Sequence, residues 1–360
     1  MLVRDDGRVG TYPQVKLKLN LKPNQRVGAG AVRLAIFNHK GGVGKTILTA
    51  NVGAALARLG HRVLLVDSDP QCNLTAYRVE ESVVNDLLDH SDGPEGKTLW
   101  SAVKPIVEGL GDPKPIPGIE LADRLYLLPG DVRLAEFEQE LALLWGECFQ
   151  RKARGFRGVS ALSWIVDEAT KAHKIDFVFY DSGPNIGALN RVILLDCDFF
   201  AIPAACDLFS LRAITTLGHT LGNWLQDWKT ISDLAPTSIK LLSGTPRLLG
   251  FIPQRFRPYR HAPSSGPAGF IPLLEKRIQA EVVTVLKRLN PDLVPRTAFP
   301  LRIADVKDFA GLATSSQSEG VAMFEVKAAS DSQREEALDA FETLAKALVA
   351  RTRIGSNSSV

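Results

Sequence analysis

From Val32 onward the chain alternates between short apolar runs and stretches whose apolar residues recur at helical spacing. Val32 to Phe37 is mostly apolar, is too short for an independent helix and leads into a glycine-rich loop, so it predicts a buried strand. Lys45 to Leu59 places Leu48, Val52, Leu56 and Leu59 on one helical face, and Gly60 supplies the stop. Arg62 to Asp67 is a second apolar run and a second buried strand. Strand, loop, helix and strand in that order form a βαβ unit. That unit predicts a doubly wound, mostly parallel α/β sheet with helices on both faces.

The same reading extends along the chain. Leu125 to Leu128, Asp176 to Asp181, Phe199 to Pro203 and Leu248 to Ile252 predict further strands, the second of them closing on an aspartate. Leu134 to Trp145, Ala161 to Ala172 and the stretch after Pro272 predict helices, and a short Thr297 to Pro300 segment follows. Gln333 to Arg351 is the last predicted helix, with Leu338, Phe341, Ala345 and Leu348 on one face. That face is expected to pack on the domain. Glu80 to Gly118 is rich in Gly, Pro and Asp and reads as an irregular insert. Residues 1–31 read as an extension in which Lys16 to Lys22 alternates like an edge strand or tail, and 352–360 read as a disordered tail. One domain over residues 32–351 is therefore expected.

Composition changes this picture little. With 45% hydrophobic, 7% aromatic and 23% charged residues, the chain is ordinary for a globular α/β protein. No stretch approaches the roughly 18 to 20 apolar residues of a membrane span, and the N-terminus has no apolar signal core. Cys72, Cys148, Cys197 and Cys206 lack the spacing of a zinc site or a disulfide framework, so a reducing cytoplasm is expected. Charge is uneven. Against a net charge of +3, the stretch from Thr245 to Arg302 carries ten Lys or Arg and three Asp or Glu. Such a surplus fits either a polyanion-binding face or a solvated basic surface.

The chemistry concentrates at Lys40-Gly41-Gly42-Val43-Gly44-Lys45-Thr46. A phosphate cradle needs backbone N–H groups turned inward around an anion, and the three glycines give the backbone that freedom. It must also open a helix, whose N-terminus offers free N–H groups and a partial positive charge. The ordinary pattern G-x-x-x-x-G-K-[ST] fails here because its first glycine falls at His39; the run fits K-G-G-x-G-K-[ST] instead.

With that variant loop in place, the chain from about Arg33 to the final helix resembles the ParA/MinD family of deviant Walker A P-loop ATPases. The loop after Asn38 carries the likeness, with Val66-Asp67-Ser68-Asp69-Pro70-Gln71-Cys72-Asn73-Leu74-Thr75, Asp181-Ser182-Gly183-Pro184 and, less closely, Pro300-Leu301-Arg302-Ile303-Ala304. The resemblance implies a P-loop NTPase fold and two protomers closing face to face around two molecules of ATP with Mg²⁺. It implies that Lys40 crosses to the partner's nucleotide, as an arginine finger would. Gly41, Gly42, Val43, Gly44, Lys45, Thr46 and Ile47 would line the phosphates, with Pro253 and Arg255 near the base. Thr46 would hold Mg²⁺, Asp67 and Asp181 would support it largely through water, and Asp69 would position the attacking water. Capping at a strand end is the plain alternative for each carboxylate. Three places depart from the family pattern: Gly183 stands for a proline, which loosens that loop, Cys72 stands for a glycine, and Asp305 with the following Val-Lys breaks the late segment.

By the same likeness the protein is expected to be a cytoplasmic, nucleoid-associated partition or positioning ATPase. It would bind DNA without sequence preference in its ATP state and be released by a ParB-like or other adaptor protein. Arg257, Arg260, Lys276, Arg277 and Arg302 are the expected phosphate-backbone contacts, flanked by Lys287 and Arg288. Three alternatives keep the same loop. A MinD-like membrane ATPase needs a basic amphipathic terminal helix, whereas Glu335, Glu336, Asp339 and Glu342 make this one acidic. A relative of the nitrogenase iron protein needs a pair of cluster-binding cysteines, and no suitable pair is present. A ParA-like ATPase recruited to plasmid maintenance or defence remains open.

Overall fold

The computed structural model describes residues 30–254, 269–295, 299–309 and 311–356, with side chains to residue 352. Seven strands form one sheet: β1 (Val32–Ile36), β2 (Val63–Asp67), β3 (Ile119–Ala122), β4 (Leu125–Leu128), β5 (Phe177–Asp181), β6 (Phe199–Ala205) and β7 (Arg247–Gln254). Their order is β3-β4-β2-β5-β1-β6-β7. Every neighbouring pair is parallel except β3 with β4. The helices of the first half are α1 (Lys45–Arg58), α2 (Asn73–Arg78), α3 (Glu81–Asp89), α4 (Leu99–Val107), α5 (Leu134–Phe149), α6 (Ala153–Val159) and α7 (Ala161–His173). The rest are α8 (Ala188–Asp196), α9 (Leu208–Asp233), α10 (Phe270–Ile278), α11 (Thr284–Leu289), α12 (Gly311–Glu319) and α13 (Asp331–Ser356).

Strand periodicity divides the core in two, because successive side chains point to opposite faces. On one face Ala35, Leu64, Val66, Val178, Tyr180, Phe200 and Ile202 meet α4, α5 and α7 to α11. On the other, Leu34, Ile36, Val63, Leu65, Phe177, Phe179 and Ala201 meet α1, α2, α12 and α13. Eleven of the fourteen residues of α1 are buried, because it lies between the sheet and α13. Its small residues permit that. A Cβ on Gly53 would come within 2.6 Å of Leu65, so the helix axis sits close to β2. The predicted face of α13 packs as expected: Phe341, Ala345 and Leu348 are buried in the second core and Leu338 lies against it. Among the described residues no helix is long and apolar enough to cross a membrane.

Three expectations are corrected. The 80–118 stretch is not irregular, since it holds α3 and α4. Both are short, and α4 carries Pro105 inside it, so their turn-forming composition masks the helical period; a capping box between Thr98 and Ser101 starts α4. The tail expected from 352 continues α13 through Ser356, where Thr352 is buried. The 26-residue α9 is the largest element that periodicity missed, because Gly218 and Gly222 interrupt it. Gly218 is a contact residue, for a Cβ there would meet the Glu281 carbonyl at 1.8 Å. The alternating Lys16 to Lys22 segment lies outside the described residues.

One polar network sits inside the first core. Arg33, only 2% exposed, donates to the Ser163 hydroxyl at 2.8 Å and pairs with Asp196 and Asp167. Asp196 also accepts from Tyr180 Oη and Ser163 Oγ, each at 2.6 Å. Breaking such a pair from one side strands the other charge, at about 3–5 kcal/mol. Arg33→Met is therefore expected to destabilise the protein by about that much in urea unfolding, and adding Asp196→Leu should recover part of the loss. A loss from Arg33→Met below about 1 kcal/mol would show that the network contributes little.

Candidate active site

The expected phosphate loop lies between β1 and α1, at the C-terminal edge of the sheet, and three anchors shape it. Asn38 donates to the Pro203 carbonyl on β6 at 2.8 Å and accepts the Lys40 N–H at 3.0 Å, fixing the entry. Gly42 and Gly44 take left-handed backbone, at φ 71° and 81°. Gly44 is the N-cap of α1 and offers no side-chain cap, so the first N–H groups of the helix open toward the loop. Gln254 closes the cradle: a Cβ on Gly44 would stand 3.0 Å from its Oε1. The left-handed conformation is what requires glycine at 44, and any side chain there would also displace the Gln254 amide.

Lys45 is buried, and its ammonium donates to the Lys40 carbonyl at 3.2 Å. Burial pushes its pKa down, while Asp181 and Asp69 pull it back up. Lys40 points elsewhere. Its Nζ lies 2.7 and 2.6 Å from the two Asp207 carboxylate oxygens and 3.0 Å from Ser210 Oγ. Asp207 also caps α9 by accepting the Ser210 N–H at 2.7 Å. Partial burial would raise the Asp207 carboxyl, but the bonds from Lys40 and Ser210 hold it below its ordinary value. Burial and the charge of Lys45 push the imidazole of His39, which stands where the ordinary loop has glycine, below its usual value.

Three carboxylates gather behind Lys45, each with a different environment. Asp67 is fully committed: Oδ2 accepts the Thr75 N–H at 2.7 Å and its hydroxyl at 2.6 Å, and Oδ1 accepts the Asp69 N–H at 3.4 Å. Those are bracing contacts at the end of β2, and the Thr75 hydroxyl in turn accepts the Gly130 N–H at 2.9 Å. Burial raises the Asp67 carboxyl to about 6 despite the Thr75 bonds. Asp69 holds its own turn, accepting the Gln71 N–H at 3.0 Å. Asp181 differs: it is completely buried and neither carboxylate oxygen has a hydrogen-bond partner. Burial and the negative charge of Asp67 push it up to about 8; Thr46 opposes that rise although its hydroxyl is outside hydrogen-bond geometry. An unpartnered buried carboxylate beside the half-buried Thr46 is a donor set that suits a hard cation.

The loop after β5 is tighter than its glycine suggests. Asn190 on α8 reaches the carbonyls of Gly183 and Asn185 at 2.8 and 2.9 Å. A Cβ on Gly183 would stand 3.2 Å from Asp69 Oδ1, which ties this loop to the β2 turn. Cys72 has φ 53°, left-handed backbone that favours glycine, and burial followed by Asp67 pushes its thiol well above the ordinary range. That leaves it inert.

Of the remaining expected residues, Val43 is buried in the loop, Gly41 is exposed, with a Cβ there 3.6 Å from that of Pro184, and Ile47 is half-buried on α1. Pro253 is buried on β7 opposite Ala204, while Arg255, Arg257 and Arg260 lie outside the described residues. Lys276, Arg277, Lys287 and Arg288 are exposed along α10 and α11, with Arg277 paired to Glu281 at 3.2 Å. Arg302 is instead at the β7 edge, bridged to Phe251 and ion-paired with Asp305. Asn38, Asp207, Asn190 and Gln254 were not anticipated from sequence. Asp207 had a readable signal, an acidic residue directly ahead of a helix with Ser three positions on.

A family model described as an AAA domain matches residues 32–230. Sporulation initiation inhibitor protein Soj of Bacillus subtilis is 30% identical over 194 residues, 52% of this chain and 64% of Soj. The chromosome partitioning protein ParA of Caulobacter vibrioides is 32% identical over 190 residues, 52% of this chain and 61% of that protein. The chain thus spans less than two thirds of these relatives' length. Among solved structures, a Cyanothece McdA variant in complex with ATP has a TM-score of 0.60 at 19% identity, covering 89% of this chain and 98% of that one. That likeness is one of fold.

The bracing of Asp67 predicts that Thr75→Val will destabilise the protein by about 1–3 kcal/mol in denaturant, since Asp67 Oδ2 keeps only the backbone bond and the buried Gly130 N–H loses its partner. A change under about 0.5 kcal/mol would show that Asp67 does not depend on Thr75.

Proposed function

The chain belongs to the ParA/MinD family of P-loop ATPases, and from that premise we propose that it hydrolyses ATP as a partition-type ATPase. The observation that carries the reading is the loop itself: a left-handed glycine opens the helix, a buried lysine lies within it and a second lysine stands beside it. Helix N–H groups and Lys45 would bind the β- and γ-phosphates. Mg²⁺ would neutralise phosphate charge during transfer, and Thr46 with Asp181 would hold it, Asp67 supporting from behind. Asp69 faces the loop after β5 through Gly183 and would orient the attacking water.

Lys40 would act across a dimer. Closing two protomers face to face would bring each Lys40 to the partner's nucleotide, and leaving Asp207 is part of what that costs. Leu208 and Phe209, directly after Asp207, are exposed and would supply apolar surface for such a contact. The dimer would hold DNA through exposed basic residues, among them Lys276 and Arg277, with a ParB-like adaptor stimulating hydrolysis and release. The protein would then be cytoplasmic and nucleoid-associated. A membrane role draws no support from α13, whose apolar face is buried against α1.

Retention on non-specific duplex DNA, measured with ATP, ADP and no nucleotide, tests this reading. We expect retention in ATP alone, weakening steeply with salt as phosphate contacts release counterions. Equal retention in all three states would overturn it.

A further inference from the structure

At the far end of α1 from the phosphate loop, a cavity of about 430 Å³ opens between the α1 C-terminus, the end of α2 and the β3–β4 turn. Arg58, Arg78 and Arg124 line it, with Asp123 and Glu325. We propose that this cavity binds a compact, doubly charged oxyanion of the phosphate type, with Arg78 as its floor and Arg58 and Arg124 as its rim.

Arg78 is the reason. It is 8% exposed, and its Nε and Nη1 are buried without a hydrogen-bond partner. Three arginines are buried among the described residues, and the other two are satisfied. Arg33 has Ser163, Asp167 and Asp196, and Arg351 donates to the carbonyls of Leu249, Pro300 and Arg302. A guanidinium in low dielectric with unmade hydrogen bonds is costly; an anion in the cavity lessens the charge penalty, and a small turn of the Arg78 side chain toward the cavity brings Nε and Nη1 to it. Glu325 does not fill the role. Its Oε2 accepts the Ala322 N–H at 3.0 Å, and its attraction offsets only part of the burial that pulls the Arg78 pKa down.

The rim can turn to a ligand. The Arg58 side chain is 61% exposed and meets Glu342 only at 3.6 Å. Arg124 is 46% exposed, with one Nη on the Gly60 carbonyl at 2.9 Å and its Nε 3.3 Å from an Asp123 carboxylate that is 90% exposed. Three guanidiniums face two carboxylates, both of which can remain solvated or bonded elsewhere. A concave pocket of this charge suits a small oxyanion rather than the convex backbone of a duplex.

Titration calorimetry of the full chain with inorganic phosphate tests the site, with Lys45→Ala, or wild type saturated with ADP, used to silence the phosphate loop. We expect saturable binding of one phosphate to survive in both, and acetate to bind at least tenfold more weakly. Arg58→Gln with Arg124→Asn should weaken phosphate at least tenfold; asparagine tolerates the left-handed φ of 64° at position 124. Arg78→Met, where it folds, should abolish binding. No saturable binding once the loop is silenced, or an unchanged affinity in the rim double variant, would overturn the proposal.

Discussion

The site depends on one backbone constraint: α1 must begin at a left-handed residue so that its free N–H groups turn back toward the end of β1. Gly44 meets that constraint, and a side chain there would also have to push aside the Gln254 amide packed against it. The direction of the helix follows from packing further along. Gly53 lets α1 settle onto β2, and Phe341, Ala345 and Leu348 of α13 cover its outer side. A helix buried on nearly every side cannot swing, so the loop at its start is held in place by the sheet on one side and α13 on the other. Preorganised donors of this kind need little rearrangement when an anion arrives.

Behind the loop the balance of charge is unequal. Asp67, Asp69 and Asp181 share the space behind a single buried ammonium, that of Lys45. Burial pushes Asp67 to about 6 and Asp181 to about 8, so the protein's own residues do not keep both carboxyls fully ionised at neutral pH. Thr75 brings hydrogen bonds to Asp67, whereas Asp181 has none. The two aspartates therefore differ: one braces the turn after β2, and the other leaves both oxygens unpartnered, as the proposed cation site would require.

Much of this was legible in the sequence, because it rests on local pattern. The buried strands read as apolar runs, and the K-G-G-x-G-K-T loop between a strand and a helix announces both chemistry and fold class. The parts that were not legible rest on distant contacts. Lys40 meets Asp207 across 167 positions, and Asn38 meets Pro203 across 165, which no periodicity encodes. α3 and α4 hid behind turn-forming residues, and α9 hid behind two glycines, of which Gly218 serves a close helix crossing. Arg78 drew no notice in the sequence, since nothing in its local pattern marks it. Only the packing of α2 against its neighbours shows it to be buried.

Lys40 is where local geometry and proposed function meet, since it is bound in cis to Asp207 and is proposed to act in trans. Light scattering with and without ATP, on wild type, Lys40→Ala and Asp207→Asn, tests that directly. Asparagine keeps an acceptor for the Ser210 N–H but removes the charge that holds Lys40. The account predicts an ATP-dependent wild-type dimer, no dimer for Lys40→Ala despite nucleotide binding, and up to about fivefold tighter dimerisation for Asp207→Asn, the range of a partly exposed ion pair. If Lys40→Ala dimerises and hydrolyses ATP like the wild type, the shared-site account is wrong.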